Sequence, residues 1–199
     1  MGRILYRGRA GLADELLSLP PMNVVGICGS LRAESSNLAL LRAAVLAAPP
    51  EAKVTIFEGL GGLPHFNPDI DHEEDIPPAA VARFRSLLAE ADGLLISSPE
   101  YAHGVPGSLK NALDWLVSSG ELMGKPVVLL GGGPWARASL TETLTMLSAT
   151  VLGQEAPVPG PVRTQIGPDG GVSDPAVAAG LRAVWAEVVE HLATAAASA

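Results

Sequence analysis

Four short apolar runs, separated by stretches of helical periodicity, constrain the fold of this chain more than any other feature. The runs cover residues 23–28, 53–57, 93–97 and 126–130. Between and after them, apolar residues recur at helical spacing, which predicts helices over residues 37–48, 78–91, 106–118, 137–147 and 174–195. Because strands that alternate with helices usually pair in parallel, the pattern predicts a parallel sheet with helices on both faces.

A fifth strand is expected within residues 154–162, although three prolines there disfavour a central place in the sheet. A chain of 199 residues has the length of one domain. The sequence therefore predicts an α/β fold, a three-layer sandwich built on a five-stranded parallel sheet. Because sheets of this kind bind ligands at the carboxyl ends of their strands, the strand-to-helix loops are the candidate functional segments.

The first 21 residues differ in character from the rest of the chain. Three arginines precede a short amphipathic piece, and Pro20 and Pro21 separate it from the first strand. We therefore divide the chain into an N-terminal appendage, residues 1–21, and one domain, residues 22–199. We expect the appendage to lie at the periphery of that domain. The alternative is an arm that packs on a partner subunit.

Charge and composition exclude several classes of function. A formal net charge of -8 opposes binding to nucleic acid and to anionic membrane surfaces. No apolar run reaches the ~20 residues that a membrane-spanning helix needs. Cys28 is the only cysteine, so an intramolecular disulfide is excluded, and no segment resembles a secretory signal. We expect a cytoplasmic protein in which Cys28 is a small buried side chain rather than a reactive thiol.

The loop after the first strand, GSLRAESSN at residues 29–37, has the composition of an anion-binding loop. Backbone N–H groups at this place in an α/β sheet point at a common spot in front of the next helix. Ser30, Ser35 and Asn37 add neutral donors, and Arg32 adds a charged fork suited to phosphate. The alternative is that Ser35 or Asn37 only caps the helix. Since capping does not explain Arg32, we favour a phosphate site.

The same sequence gives little support to other common cofactor, catalytic or metal sites. The first loop lacks the glycine pattern of a dinucleotide fold and the Lys-Ser or Lys-Thr pair of a nucleoside-triphosphate loop. The chain has no Gly-x-Ser-x-Gly elbow of a serine hydrolase. The sequence HFNPDIDHEED, residues 65–75, contains possible metal ligands, but they crowd one loop without helical spacing. We expect a solvated acidic loop there and no metal site.

The loops after the third and fourth strands have features that suit a flat ligand. Tyr101 and His103 place planar side chains in the third-strand loop, ahead of a helix in which Lys110 and Asn111 either face solvent or cap neighbouring backbone. The fourth-strand loop begins GGGPW at residue 131, so a ligand can lie directly against its main chain. Trp135 is placed to cover such a ligand, and the alternative for this loop is a tight turn.

Taken together, these loops resemble the NADPH-dependent FMN reductase family, flavodoxin-like flavoproteins that include quinone, azo-dye and chromate reductases. The resemblance covers most of residues 23–147 and depends on GSLRAESSN, SPEYAHGVPGSLKNALDWL and LPHFNPD. It implies a flavodoxin-like fold, FMN as cofactor and NADPH or NADH as reductant. It also implies a homodimer or homotetramer, whose interface Trp135 and residues 63–75 could line.

The resemblance also implies the cofactor-binding residues. The FMN phosphate would be held by Ser30, Arg32, Ser35 and Asn37. The isoalloxazine ring would be bordered by Pro99, Glu100 and Tyr101, and its other side would be lined by Gly132 and Gly133. The chain departs from the family at Ala102, where many relatives have Asn, and in lacking a second glycine pair after the fourth strand. From these departures we expect looser retention of FMN.

The function that follows is hydride transfer from NAD(P)H through bound FMN to a quinone-like or other small acceptor. Because the cofactor carries the chemistry, no side chain is expected to act as a catalytic acid or base. Two alternatives stay open. The first is an electron carrier or redox sensor that binds FMN but turns over slowly. The second is a non-redox module that uses the loop around Ser30 for another phosphorylated ligand.

Overall fold

Five parallel strands form the central sheet of the protein. The computed structural model describes residues 21–72, 75–153 and 165–198. The strands are Met22–Cys28 (β1), Ala52–Phe57 (β2), Gly93–Ser97 (β3), Pro126–Leu130 (β4) and Thr150–Leu152 (β5). Their order is β2-β1-β3-β4-β5, the doubly wound order of flavodoxin-like folds. The predicted fold class is confirmed, and the order reverses between β1 and β3, where such folds bind their ligands.

Helices cover both faces of the sheet. They are Ser36–Leu46 (α1), Ala79–Ala89 (α2), Gly107–Asp114 (α3), Pro134–Met146 (α4) and Pro175–Ser198 (α5). Two short 3₁₀ turns, Leu60–Gly62 and Pro68–Ile70, lie between β2 and α2. One apolar core joins the sheet to α2, α3 and α4, and a second joins it to α1 and α5. The result is the expected three-layer sandwich.

The predicted elements match the structure to within a few residues, with one exception. β3 and β4 have the predicted bounds, whereas α4 begins at Pro134, three residues before the predicted start. The fifth strand of the described sheet, β5, is Thr150–Leu152, paired with Pro126–Val128 of β4, and it precedes the predicted span 154–162. A strand of three residues is too short to leave a periodic signal.

Some sequence predictions concern residues that the structure does not describe. The appendage falls almost entirely on residues 1–20, and the span first assigned to the fifth strand falls within residues 154–164. Both lie outside the described residues, so the division into appendage and domain stays a prediction. Within the described residues, no helix is long and apolar enough to cross a membrane.

The loop between β2 and α2 is attached to α3, although most of the residues described between 65 and 75 are exposed, as expected of a solvated acidic loop. Asn111 accepts a hydrogen bond from the Phe66 backbone N–H (2.8 Å) and donates one to the Pro64 carbonyl (2.9 Å). The Trp115 indole N–H donates to the same carbonyl, at 2.9 Å, and its ring meets the Phe66 ring edge-on. Asn111 therefore pairs with neighbouring backbone, which was one of the two alternatives for it.

The acidic part of this loop is also paired. The Asp71 carboxylate accepts two hydrogen bonds from the Arg85 guanidinium of α2, at 2.8 and 2.9 Å, and a third from the Ser118 hydroxyl. Its side chain is 5% exposed. The described residues contain no cluster of three or more His, Cys, Asp or Glu side chains able to hold a metal ion. The loop is thus anchored at Pro64, Phe66 and Asp71, while most of its other described residues face solvent.

The first prediction concerns this attachment. Asn111→Ala removes both bonds to the loop and leaves the partly buried Phe66 N–H unpaired, while the Trp115 indole still donates to the Pro64 carbonyl, so we expect a loss of ~1–2 kcal/mol in the free energy of unfolding. The matched control is Lys110→Ala on the same helix, which removes an exposed ion pair with Asp114 and should cost less than ~0.5 kcal/mol. Urea unfolding measures both variants. Equal losses would show that the loop does not depend on Asn111.

Candidate functional site

Three loops meet around Ser98, which lies just beyond the end of β3 and is 2% exposed. They follow β1, β3 and β4. A Cβ atom at Gly29 would lie 2.6 Å from the Ser98 hydroxyl oxygen, and one at Gly132 would lie 3.2 Å from the Ser98 carbonyl oxygen. The Gly29 N–H also donates to the Ser97 carbonyl (2.8 Å). The first and third loops therefore approach the second more closely than a side chain would permit.

Ser35 begins α1 as its N-cap. Its hydroxyl oxygen accepts hydrogen bonds from the N–H groups of Asn37 (3.2 Å) and Leu38 (3.4 Å). The alternative of helix capping is thus correct for Ser35. A serine hydroxyl that accepts still has its own hydrogen to donate, so capping does not prevent contact with a ligand. Asn37, also buried, accepts a bond from the Ser97 hydroxyl (3.4 Å), which joins this loop to β3.

Arg32 has an exposed side chain that extends from the same loop. Its backbone N–H donates to the hydroxyl of Ser30, which is half-buried, at 3.4 Å. Among the ion pairs of the described residues, none involves Arg32. Its guanidinium therefore has no internal carboxylate partner in the described parts of the chain and can bind an external anion.

Cys28 lies beneath this loop and belongs to the core. Its sulfur donates to the Ser30 carbonyl (3.5 Å) and lies 3.9 Å from the Ser35 hydroxyl. Burial raises the pKa of the Cys28 thiol above its ordinary value. The thiol is therefore neutral near pH 7 and is not a nucleophile there, as expected for a packing residue.

Glu100 connects the second loop to the third. One of its carboxylate oxygens accepts hydrogen bonds from the N–H groups of Trp135 (2.8 Å) and Ala136 (3.0 Å), in the first turn of α4. A negative charge is favourable at this end of a helix. The N-cap residue Gly133 has no side chain of its own, and a Cβ atom there would collide with the Glu100 carboxylate. Glu100 therefore caps α4 from another loop.

Neither this role of Glu100 nor the central place of Ser98 was predicted from the sequence. A sequence signal for the cap does exist, since Gly133 and Pro134 open α4 without a capping side chain. A helix start of this kind needs a partner from elsewhere in the chain. The sequence cannot say which residue supplies it, because Glu100 precedes α4 by more than thirty residues. The predicted contact of Glu100 with the flavin ring stays a prediction.

A tight turn and two stacked rings form the rim of the site. Tyr101 and Gly104 exchange backbone hydrogen bonds, and between them Ala102 and His103 adopt left-handed conformations, with φ of 49° and 57°. The His103 ring stacks on the Trp135 ring, with centroids 5.6 Å apart and planes 24° from parallel. Tyr101 is 51% exposed and Trp135 is 60% exposed. The second and third loops thus present aromatic surface to solvent.

The second prediction concerns the strain at Ala102. A left-handed conformation costs a residue other than Gly, Asn or Asp roughly 1 kcal/mol, and Ala102 has no side-chain contact to lose. We therefore expect Ala102→Asn to raise the free energy of unfolding by about 0.5–1 kcal/mol. The same change at Ala138, exposed in the middle of α4, should lower it by about 0.5 kcal/mol. Thermal unfolding compares the two, and no gain at Ala102 would contradict this account.

Comparisons with known proteins show the family of the chain. The family profile described as NADPH-dependent FMN reductase matches residues 22–160. A quinone reductase of Escherichia coli is 33% identical over 158 residues, which cover 75% of this chain and 84% of that protein. An NAD(P)H-dependent FMN reductase of Pseudomonas aeruginosa is 38% identical over 134 residues, covering 63% of this chain and 71% of its own.

A solved structure extends the likeness to three dimensions. The flavoenzyme NAD(P)H:(acceptor) oxidoreductase FerB of Paracoccus denitrificans superimposes with a TM-score of 0.76. It is 26% identical in sequence and covers 87% of this chain and 98% of its own. The strand order, the three converging loops and these matches lead to one assignment. The chain belongs to the NADPH-dependent FMN reductase family of flavodoxin-like oxidoreductases.

Proposed function

We propose that the chain is an FMN-dependent oxidoreductase that takes hydride from NADPH or NADH and reduces a quinone-like or other small acceptor. The observation that carries the proposal is the meeting of three loops at Ser98. One loop offers donors for a phosphate, another offers bare glycine backbone, and planar side chains border the crevice. Family membership supports the same cofactor and the same class of reductant.

Four residues of the first loop would hold the FMN phosphate. The exposed guanidinium of Arg32 has no carboxylate partner among the described residues, and the Ser30 hydroxyl lies beside it. Ser35 keeps a hydroxyl hydrogen to donate after capping α1, and Asn37 lies in the first turn of that helix. Neutral and charged donors at a helix start are the chemistry that a phosphate needs. The residues present therefore fit this group.

Residues of the second and third loops would hold the ring. We propose that Pro99, Glu100 and Tyr101 border the edge of the ring. Gly132 and Gly133 would line its opposite side. The exposed backbone of Gly132 lets a flat group approach the main chain. The Glu100 carboxylate is bonded to α4, so its contribution is to hold the two loops at a constant separation.

The cofactor supplies the redox chemistry when bound: it accepts hydride from the nicotinamide and passes two electrons to the acceptor. In the overall reaction, NAD(P)H, one proton and a quinone give NAD(P)⁺ and a hydroquinone. The protein's residues bind and orient the reactants, and we assign none of them as a catalytic acid or base. The quinone reductase of Escherichia coli, one of the similar proteins, supports a quinone as the acceptor.

The third prediction tests this function directly. Purified protein is mixed with FMN, and its visible spectrum is recorded under argon before and after NADPH, and again after a naphthoquinone. We expect FMN to bind, its absorbance to bleach with NADPH and to return with the quinone. FMN that binds without rapid turnover would indicate a carrier or sensor. Failure to bind FMN would leave the non-redox alternative.

We further propose that the protein is cytoplasmic and forms a homodimer or homotetramer. The lone, buried Cys28 is compatible with a reducing compartment. A groove of about 300 Å³ between α3 and α4 supports self-association. Its lining includes Val117 and Met146, which are apolar and exposed in the single chain. Light scattering on the purified protein measures the assembly.

The fourth prediction separates binding of the phosphate from binding of the ring. Riboflavin carries the same ring as FMN without the phosphate. A hydrogen bond to a charged group contributes ~1.5–3 kcal/mol, so Arg32→Ala should weaken FMN binding about ten- to a hundredfold and leave riboflavin binding nearly unchanged. Flavin-fluorescence titrations measure both affinities, and added salt should shrink the difference.

The matched control is Arg83→Ala, which changes the net charge equally at an exposed position on α2, outside the three loops. It should leave both affinities unchanged. Equal weakening of the two flavins by Arg32→Ala would mean that Arg32 acts on the ring or on the loop structure. No change for either would contradict the phosphate site at residues 30–37.

A further inference from the structure

Trp135 differs from the other two tryptophans of the chain in its surroundings. Trp115 and Trp185 are buried, at 0% and 3% exposed, and their indole N–H groups donate to the Pro64 and Ala44 carbonyls. Trp135 is 60% exposed, and within the described residues its indole N–H makes no hydrogen bond. A large ring with a free donor is therefore presented to solvent where the second and third loops adjoin.

The position of the Trp135 ring is set by its backbone. Its N–H group is bonded to the Glu100 carboxylate, 2.8 Å away, at the start of a thirteen-residue helix. The outward direction of the side chain thus follows from a rigid element and not from a flexible loop. Such support is what a binding surface needs in order to keep its shape before the ligand arrives.

His103 is held against Trp135 from the neighbouring loop. Its backbone has φ of 57°, an unusual conformation for a residue with a side chain, next to Ala102 in the same state. The turn that contains both residues is closed by two hydrogen bonds between Tyr101 and Gly104. Strain of this kind persists where the surroundings impose it, and it concentrates at ligand clamps. In this turn the strained backbone holds the His103 imidazole over the Trp135 indole, with the ring centroids 5.6 Å apart.

We propose that His103 and Trp135 form an aromatic wall that selects flat, aromatic quinones as electron acceptors. The outer face of the stacked pair offers π surface on which a bicyclic quinone can stack. An inorganic acceptor such as ferricyanide has no flat face and gains nothing from this surface. This inference depends on the proposed function, because it concerns the acceptor of the same site.

Binding can be measured without turnover. FMN-loaded protein, with no reductant, is titrated with a water-soluble naphthoquinone sulfonate while tryptophan emission is recorded. We expect saturable quenching that Trp135→Phe abolishes and that Trp185→Phe, the control at a buried position, retains. Quenching without saturation in the parent protein would overturn the proposal. So would a Trp135 that acrylamide does not reach, since the ring would then be covered in the assembled protein.

Steady-state kinetics provide the second measurement. Loss of the larger ring of the stacked pair should raise KM for the naphthoquinone about tenfold in Trp135→Ala and leave the ferricyanide parameters unchanged. Trp135→Phe keeps a ring and should stay within about threefold of the parent protein. Leu46→Ala, an exposed apolar position on α1 outside the three loops, is the matched control and should change neither acceptor.

His103 is tested with Asn, which tolerates the left-handed backbone and removes only the ring. His103→Asn should raise KM for the naphthoquinone by about threefold. In the double variant with Trp135→Ala, KM should rise by less than the product of the two single increases, because the two rings act together. Equal changes for both acceptors in Trp135→Ala would overturn the wall. If neither acceptor were reduced by the parent protein, the proposed function would fail, and the quenching titration alone would decide whether the wall binds quinones.

Discussion

The close approach of glycine backbone to the loop after β3 is the constraint on which the whole site depends. Gly29 and Gly132 lie against Ser98 from opposite sides, and Gly133 lies against the Glu100 carboxylate. A larger residue at Gly132 would meet the Ser98 backbone in a left-handed conformation, and one at Gly29 or Gly133 would displace the Ser98 hydroxyl or the Glu100 carboxylate. The close approach of the three loops therefore depends on positions that carry no side chain.

Polar contacts then hold the loops in that arrangement. Asn37 is bonded to Ser97, which ties the start of α1 to β3, and Glu100 is bonded to the start of α4. Each of these bonds joins elements that are distant in the chain, so each fixes one part of the site relative to another. The loops can therefore offer donors, bare backbone and rings to one ligand without being ordered by it, which lowers the entropic cost of binding.

The sequence predicted much of the fold because its signals are local. Each apolar run that forms β1 to β4, and each amphipathic stretch beside it, can be recognised within a dozen residues. Features were missed where the local signal was weak or the deciding partner was distant. β5 is only three residues long, and the largely exposed loop before α2 is anchored by Asn111, Trp115 and Arg85, which lie on later elements of the chain.

The sequence by itself determined the class of fold, the family and the kinds of group that the three loops carry, since these follow from residue order and spacing. It could not determine that Ser97 bonds to Asn37, that Glu100 caps α4 or that His103 stacks on Trp135. These contacts were decided by the tertiary structure. The physical reason is that a hydrogen bond or a ring contact depends on distances of a few ångströms between residues, and only the folded sheet brings the three loops that close.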